Sequence, residues 1–380
     1  MEIANPPVSS NLGVTGSGLT SSLTGKSLKR AVSFASAGGF FGETKTQPDN
    51  PSRVVRIIVT TISFLCFKFS LLKGKFQGNK HPHRNSKKKA KDFIILQMNE
   101  RERAVVQSFA NALSHSEALL IGAGAGMGVD SGLPDFRGTS GFWKTYPPLQ
   151  KLGIRFQEMA NPRWFGEDPQ LAWGFYGHRL NLYRKTDPHH GFSLLLKWIS
   201  EHDLPAFVFT SNVDGHFQRS GFSKNSVTEC HGSLMHLQCV DQCGQEIWPV
   251  PTDLRIEVDE DTLHALDPLP SCPGCGGLAR PNILMFSDWE WDTQRTNEQG
   301  TRLNEWLEEN ENSKLCVIEL GAGPSIPTVR ITCEQAWQSS GGTFLRINPR
   351  DHQVPEGGHS LAMGAGDALR AIEGISTGEG

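Results

Sequence analysis

The sequence predicts an α/β protein, built on a parallel sheet with helices on both faces. Four short apolar runs, Ala118–Ile121, Ala206–Phe209, Leu315–Ile318 and Phe344–Ile347, are separated by longer helical segments. Short buried strands that alternate with helices make parallel sheets. Each run ends in small or polar residues: the loop Gly122–Gly132, Thr210-Ser211-Asn212, Glu319–Gly323 and Asn348. Ligands of such sheets bind beyond the carboxyl ends of the strands, so four distant segments point at one site. A third observation adds a smaller module: two close Cys pairs, Cys239/Cys243 and Cys272/Cys275, lie between the second and third runs.

Composition sets the limits. The chain has 380 residues, 37% of them apolar, enough for a sizeable core, and its 8 Cys are too sparse for a secreted disulfide scaffold. The net charge of −3 conceals a split. Residues 1–93 carry 15 Lys/Arg against 4 Asp/Glu, whereas residues 94–380 carry 22 against 36. A basic leader thus precedes an acidic body.

The leader, residues 1–92, is expected to be disordered, its first 50 residues being rich in Ser, Thr and Gly. Val54–Leu72 is apolar but interrupted by Arg56 and Lys68, leaving an uncharged stretch of 11 residues where a membrane helix needs about 20. A membrane partner is therefore not expected. Two intracellular addresses fit the leader. Its Ser/Thr-rich, acid-poor start suits an organellar transit peptide, and the run Lys80–Lys91 suits nuclear import.

The body opens with a helix predicted over Glu100–His115, with Val105, Val106, Phe109 and Leu113 on one face. The first strand then feeds the glycine loop containing Gly124, Ala125 and Gly126. Such a loop lets the backbone approach a pyrophosphate and leads into a helix N-terminus that favours the anion. It departs from G-x-G-x-x-G, with Met127 and Val129 where a third glycine would stand. Nor does an acidic residue follow at the ribose-binding distance of about 20, since Asp135 comes too early. This disfavours a dehydrogenase and keeps a nucleotide phosphate site. The Cys pairs, with Gly244 and Gly274 beside them, form knuckle turns for one tetrahedral zinc, structural because four thiolates leave no open position. The span 239–275 holds one basic residue, Arg255, against eight acids, which opposes nucleic-acid binding.

The ordered set Gly124–Gly138 (which includes Asp135, Phe136 and Arg137), Ser211-Asn212-Val213-Asp214, Cys230-His231-Gly232-Ser233 and the two Cys pairs resembles the sirtuin family of NAD-dependent protein-lysine deacylases. The resemblance covers roughly residues 93–375. It implies a Rossmann-like domain (93–140, 190–232 and 312–375), a helical module (141–189) and a zinc-ribbon module (233–285). NAD and an acyl-lysine protein would meet in the cleft. NAD would be consumed, giving nicotinamide, free lysine and O-acyl-ADP-ribose. An ADP-ribosyltransferase or NAD hydrolase using the same pocket is the alternative.

Within that resemblance, His231 is the expected general base, since an imidazole titrates near neutrality. Asn212 can orient a ribose or water, and Asp214 can accept from ribose or the nicotinamide amide. Arg137 fits phosphate or ribose oxygens, and Phe136 shields the reacting carbon from water. Asp135 and Ser211 complete the expected NAD contacts. Gly321-Ala322-Gly323, in place of the family's Gly-Thr-Ser, is expected to face the ribose. Asn348 and Asp367 are expected on the adenosine side. Three departures stand out: Ser211 replaces a usual Gln, Gly128 a usual Ser, and Phe286-Ser287-Asp288 a usual Phe-Gly-Glu. Tyr176 and Arg179 match the Tyr-x-x-Arg pair of sirtuins that prefer succinyl- or malonyl-lysine, and their spacing places them on one helix face. A phenol and a guanidinium together can hold a carboxylate.

Overall fold

The computed structural model describes residues 95–134 and 138–376. The leader, and with it the predicted disorder and targeting runs, lies outside the described residues, as do Asp135, Phe136 and Arg137.

Nine strands are described: β1 (Ala118–Ala123), β2 (Ala206–Thr210), β3 (Val227–Glu229), β4 (Gly232–Cys239), β5 (Trp248–Pro249), β6 (Ala279–Ile283), β7 (Leu315–Leu320), β8 (Thr343–Ile347) and β9 (His359–Leu361). The helices before the second strand are α1 (Glu100–Ser114), α2 (Ala125–Val129), α3 (Gly138–Thr145), α4 (Pro147–Lys151), α5 (Phe156–Met159), α6 (Trp164–Glu167), α7 (Pro169–Lys185) and α8 (His190–Glu201). After it come α9 (His216–Arg219), α10 (Gln294–Glu309), α11 (Thr328–Ser340) and α12 (Ala365–Ser376).

Six strands form one sheet in the order β3-β2-β1-β7-β8-β9, with every pairing parallel. Counted along the chain, this is the 3-2-1-4-5-6 order of a Rossmann fold. All four strands expected from the sequence are present. β3 and β9, three residues each, extend the edges. The register aligns the strand ends: Ala123 pairs with Thr210 and Leu320, Leu320 with Ile347, and Ile347 with Leu361. The loops that follow therefore emerge side by side.

The sheet is buried on both faces, which explains its near-continuous apolar strands. One face packs Leu119, Ile121, Ile318 and Leu345 against α1, α8 and α12. The other packs Leu120, Phe207, Phe209 and Val317 with Leu303 of α10 and Val329 and Cys333 of α11. Helix α10 falls between the module boundaries expected from sequence and belongs to the sheet's core through Leu303. Helix α1 starts at a capping box, in which Asn99 Oδ1 accepts from the Glu102 amide (2.9 Å) and Glu102 Oε2 from the Asn99 amide (3.0 Å). A buried ion pair crosses β7 and β8: Arg346 Nε and Nη2 donate to the Glu319 carboxylate at 2.6 and 2.8 Å.

A separate core gathers α3–α7 and the three-stranded antiparallel sheet β5-β4-β6. Its centre is aromatic: Tyr146 meets Phe175 edge-on at 5.2 Å, and Tyr176 stacks on Phe165 at 5.8 Å. Each such buried ring contributes about 1.5–3 kcal/mol by area. Helix α7 begins with Pro169 after its N-cap Asp168, whose carboxylate accepts from the Leu171 amide at 2.9 Å. Among the described residues no helix is long and apolar enough to cross a membrane.

Candidate functional site

The site is built from loops that the strand register brings together. Gly124 donates its amide to the Leu320 carbonyl (2.9 Å), Gly126 to Gly321 (3.0 Å), Ser211 to Ala123 (3.1 Å) and Gly321 to Ile347 (2.8 Å). Each loop is thus stitched to the strand or loop beside it. A shallow pocket opens at this edge, lined by Gly126, Val129, Asp130, Gly321, Ile347, Pro349, Arg350, Gly364 and Ala365. Gly126 and Gly321 were expected there from sequence. Asp130 and Arg350 were not. Asp130 is held in place by the Gly366 amide, which donates to its Oδ2 at 2.7 Å.

Two of the expected NAD contacts have intramolecular partners of their own. Asn348 is fully buried. Its Nδ2 donates to the Ala322 carbonyl (2.9 Å), and its Oδ1 accepts from the Arg350 and Asp351 amides (both 3.0 Å). The side chain fastens two loops behind the pocket wall, and Arg350 is the polar residue of that loop on the pocket surface. Asp367 lies within α12, exposed and 3.9 Å from Arg370, while Gly364 and Ala365 line the pocket. Of the remaining expected contacts, Gly124 and Ala322 are buried, Ala125 is exposed, and Gly323 and Ser211 are half-buried.

The proposed catalytic residues gather at the end of β2 and the start of β4. Thr210 Oγ1 donates to the Ala123 carbonyl and accepts from the Asn212 amide, both at 3.0 Å, which fixes the turn carrying Asn212. Asp214 is buried, and its Oδ1 accepts from the His216 amide at 2.9 Å. Burial raises its pKa, with the positive fields of His216 and Arg179 acting against that. The first loop reaches the same carboxylate: a Cβ on Gly128 would sit 3.4 Å from Asp214 Oδ2. Cys230 donates its amide to the Thr210 carbonyl (2.9 Å), and His231 accepts the Leu284 amide on its own carbonyl (3.0 Å). Burial lowers the pKa of the His231 ring below its ordinary 6.5, with the Ser211 backbone pulling the other way. Its setting thus favours the neutral ring, which sits against the Ser211 backbone.

Tyr176 and Arg179 both face inward from α7, 1% and 8% exposed. The Tyr176 hydroxyl is buried and has no hydrogen-bond partner among the described residues. Arg179 donates through Nε and Nη2 to the Tyr183 hydroxyl, at 3.1 and 2.7 Å. Sequence reading passed over Tyr183, although it stands one helical turn beyond Arg179.

The four Cys Sγ atoms lie within 4.8 Å of one another, with Cys239–Cys275 and Cys243–Cys272 both at 3.6 Å. Four thiolates around a zinc with Zn–S near 2.3 Å are about 3.8 Å apart, so the donor set fits zinc in kind and in spacing. β4 and β6 bring the pairs together: Cys239 ends β4 and pairs with Ala279 of β6.

Comparison with known proteins agrees with this geometry. Residues 124–304 match the model of the Sir2 family. An NAD-dependent protein deacylase of Aquifex aeolicus is 36% identical over 166 residues, 43% of this chain and 59% of that protein. The match thus spans less than two thirds of that relative. One of Aeropyrum pernix is 29% identical over 246 residues, 64% of this chain and 86% of that protein. In three dimensions, a Sir2 homologue solved with ADP-ribose gives a TM-score of 0.53 at 23% identity, covering 74% of this chain and 98% of that one. A Sir2 homologue solved with NAD gives 0.53 at 23%, covering 72% and 94%. At such identity the structures speak for the fold alone. The matched stretch runs from the glycine loop through the four-Cys site: residues 124–304 carry a Sir2 family domain.

Proposed function

We propose that this chain is an NAD-dependent protein-lysine deacylase, moving the acyl group of a modified lysine onto ADP-ribose with release of nicotinamide. The observation that carries the reading is the setting of His231: a half-buried imidazole, its pKa lowered by burial, against the Ser211 backbone of the turn that holds Asn212 and beside the loop after β6. Relatives named NAD-dependent protein deacylases support it. When bound, NAD supplies the ribose carbon to which the acyl oxygen is transferred. His231 accepts a proton from a ribose hydroxyl at a ring nitrogen, a role that needs the neutral form. Asn212 orients the ribose or the incoming water. Asp214 offers an acceptor to the nicotinamide amide or a ribose hydroxyl. The closed glycine loops admit the pyrophosphate backbone to backbone. Zinc, held by Cys239, Cys243, Cys272 and Cys275, staples the smaller sheet and takes no part in the chemistry.

The acyl group that fits best ends in a carboxylate, succinyl or malonyl. The buried Tyr176 hydroxyl, with no hydrogen-bond partner among the described residues, supports this reading, since a buried donor is costly without a guest to accept from it, and Arg179 follows it at the spacing of the Tyr-x-x-Arg pair. Incubation with NAD and matched acetyl- and succinyl-lysine peptides tests the function. Lysine release equimolar with nicotinamide is expected. Nicotinamide release that ignores the peptide would point to NAD hydrolysis or ADP-ribosyl transfer.

A further inference from the structure

We propose that Tyr183 is a positioning residue for acyl selection, its hydroxyl holding the Arg179 guanidinium in the orientation that receives the acyl carboxylate. The inference rests on the carboxylate-acyl reading above and adds a residue that the Tyr-x-x-Arg pattern does not contain.

Tyr183 follows Arg179 by four positions on α7, so the two side chains share a face. Two guanidinium nitrogens, Nε and Nη2, converge on the one phenol oxygen at 3.1 and 2.7 Å. The guanidinium carbon also lies 5.4 Å from the Tyr183 ring centre and 5.3 Å from that of Phe175. Both residues are buried, at 8% and 5% exposure. A long arginine side chain has many rotamers, and a fork fixed before the ligand arrives loses less entropy on binding.

The chemistry of the holder matters. A phenol is a neutral acceptor, and burial raises the Tyr183 pKa further. It orients the guanidinium without cancelling its charge, whereas an Asp or Glu there would neutralise the cation and repel an acidic acyl chain. Tyr183 is itself anchored. Arg219 Nη1 donates to the Tyr183 carbonyl (2.7 Å) and the Thr186 carbonyl (2.9 Å), and Nη2 reaches Asp187 at 3.3 Å. Arg219 ends α9, which starts two residues after Asp214, so the last turn of α7 is tied to the loop that carries Asn212 and Asp214.

The test uses the full chain, saturating NAD and one peptide carrying either succinyl- or acetyl-lysine. The readout is the ratio of kcat/KM for the two. Tyr183→Phe is expected to lower the succinyl-to-acetyl ratio about tenfold, the worth of one hydrogen bond to a charged group, and to do so through KM for the succinyl peptide. Tyr183→Gln, which keeps a neutral acceptor, is expected to retain more of the ratio than Tyr183→Leu. Arg179→Met is expected to abolish the preference, with Tyr183→Phe adding nothing to it. If Arg179→Met collapses the ratio but Tyr183→Phe leaves it within twofold, the role of Tyr183 is wrong and the carboxylate reading stands. If Arg179→Met leaves the ratio unmoved, the carboxylate reading fails, and the role of Tyr183 with it. Acetyl turnover and the melting temperature report the folding of each variant.

Discussion

Gly126 and Gly321 meet backbone to backbone. The Gly126 amide donates to the Gly321 carbonyl at 3.0 Å, and neither position has room for a side chain. A Cβ on Gly126 would lie 2.7 Å from Gly321 Cα, and one on Gly321 would lie 2.5 Å from Gly126 Cα. Gly321 also has φ +63°, a left-handed conformation that a side chain disfavours. Both residues line the pocket, so their contact sets its floor. Gly126→Ala must force the two loops apart. It is expected to weaken NAD binding more than tenfold and to destabilise the fold by about 1–3 kcal/mol, read by calorimetric titration and by melting.

Asn348 fastens the same floor from behind. Asn348→Ala removes three hydrogen bonds in a fully buried setting, leaving the Ala322 carbonyl only the bond from Arg330 Nε at 3.1 Å among those seen here. A loss of about 2–4 kcal/mol is expected in chemical denaturation, with a raised KM for NAD. Unchanged stability would show that the loops hold without it.

The lowered pKa of His231 fixes the sense of the pH dependence. The neutral ring is the base, so the rate is full above the folded-state pKa and is lost as pH falls through it. The acid limb of kcat/KM is expected below pH 6.5, the ordinary histidine value. The fold prefers the neutral ring, so the His231 contribution to stability is present above 6.5 and declines below it. His231→Ala is expected to lower deacylation by at least about a hundredfold. Full activity in that variant would remove the role given to it.

Zinc removal should act on the fold first. A chelator is expected to lower the melting temperature by about 10 °C or more, with activity declining only as fast as the smaller sheet loosens. Instant loss of activity with the melting temperature unchanged would mean the metal serves the chemistry.

Ser287 stands where the family usually has glycine, and its φ is +57°. A side chain in that region carries strain. Ser287→Gly is expected to raise stability by up to about 1 kcal/mol, seen as a higher denaturation midpoint.

Much of the sheet was legible because its four central strands are apolar runs ended by loop residues, a pattern that burial on both faces imposes. β3 and β9 were not legible, since three residues carry no periodicity and edge strands need little apolar content. The four Cys stood out because a tetrahedral ion requires paired, closely spaced thiols. The bonds by which Asn348 fastens two loops could not be read from the chain: they depend on Ala322, 26 residues away, meeting its Nδ2. For the same reason Arg350 went unnoticed. Its place on the pocket follows from the turn that Asn348 Oδ1 imposes. Tyr183 was within reach of helical spacing, and only the bond to Arg179 gives it meaning.

The fate of the acyl group tests the central claim most directly. Turnover of a succinyl-lysine peptide with NAD, followed by mass spectrometry of the small products, should find the acyl group on ADP-ribose, one per lysine freed and one per nicotinamide released. Free succinate with NAD left intact, or nicotinamide and bare ADP-ribose with the peptide still acylated, would contradict it.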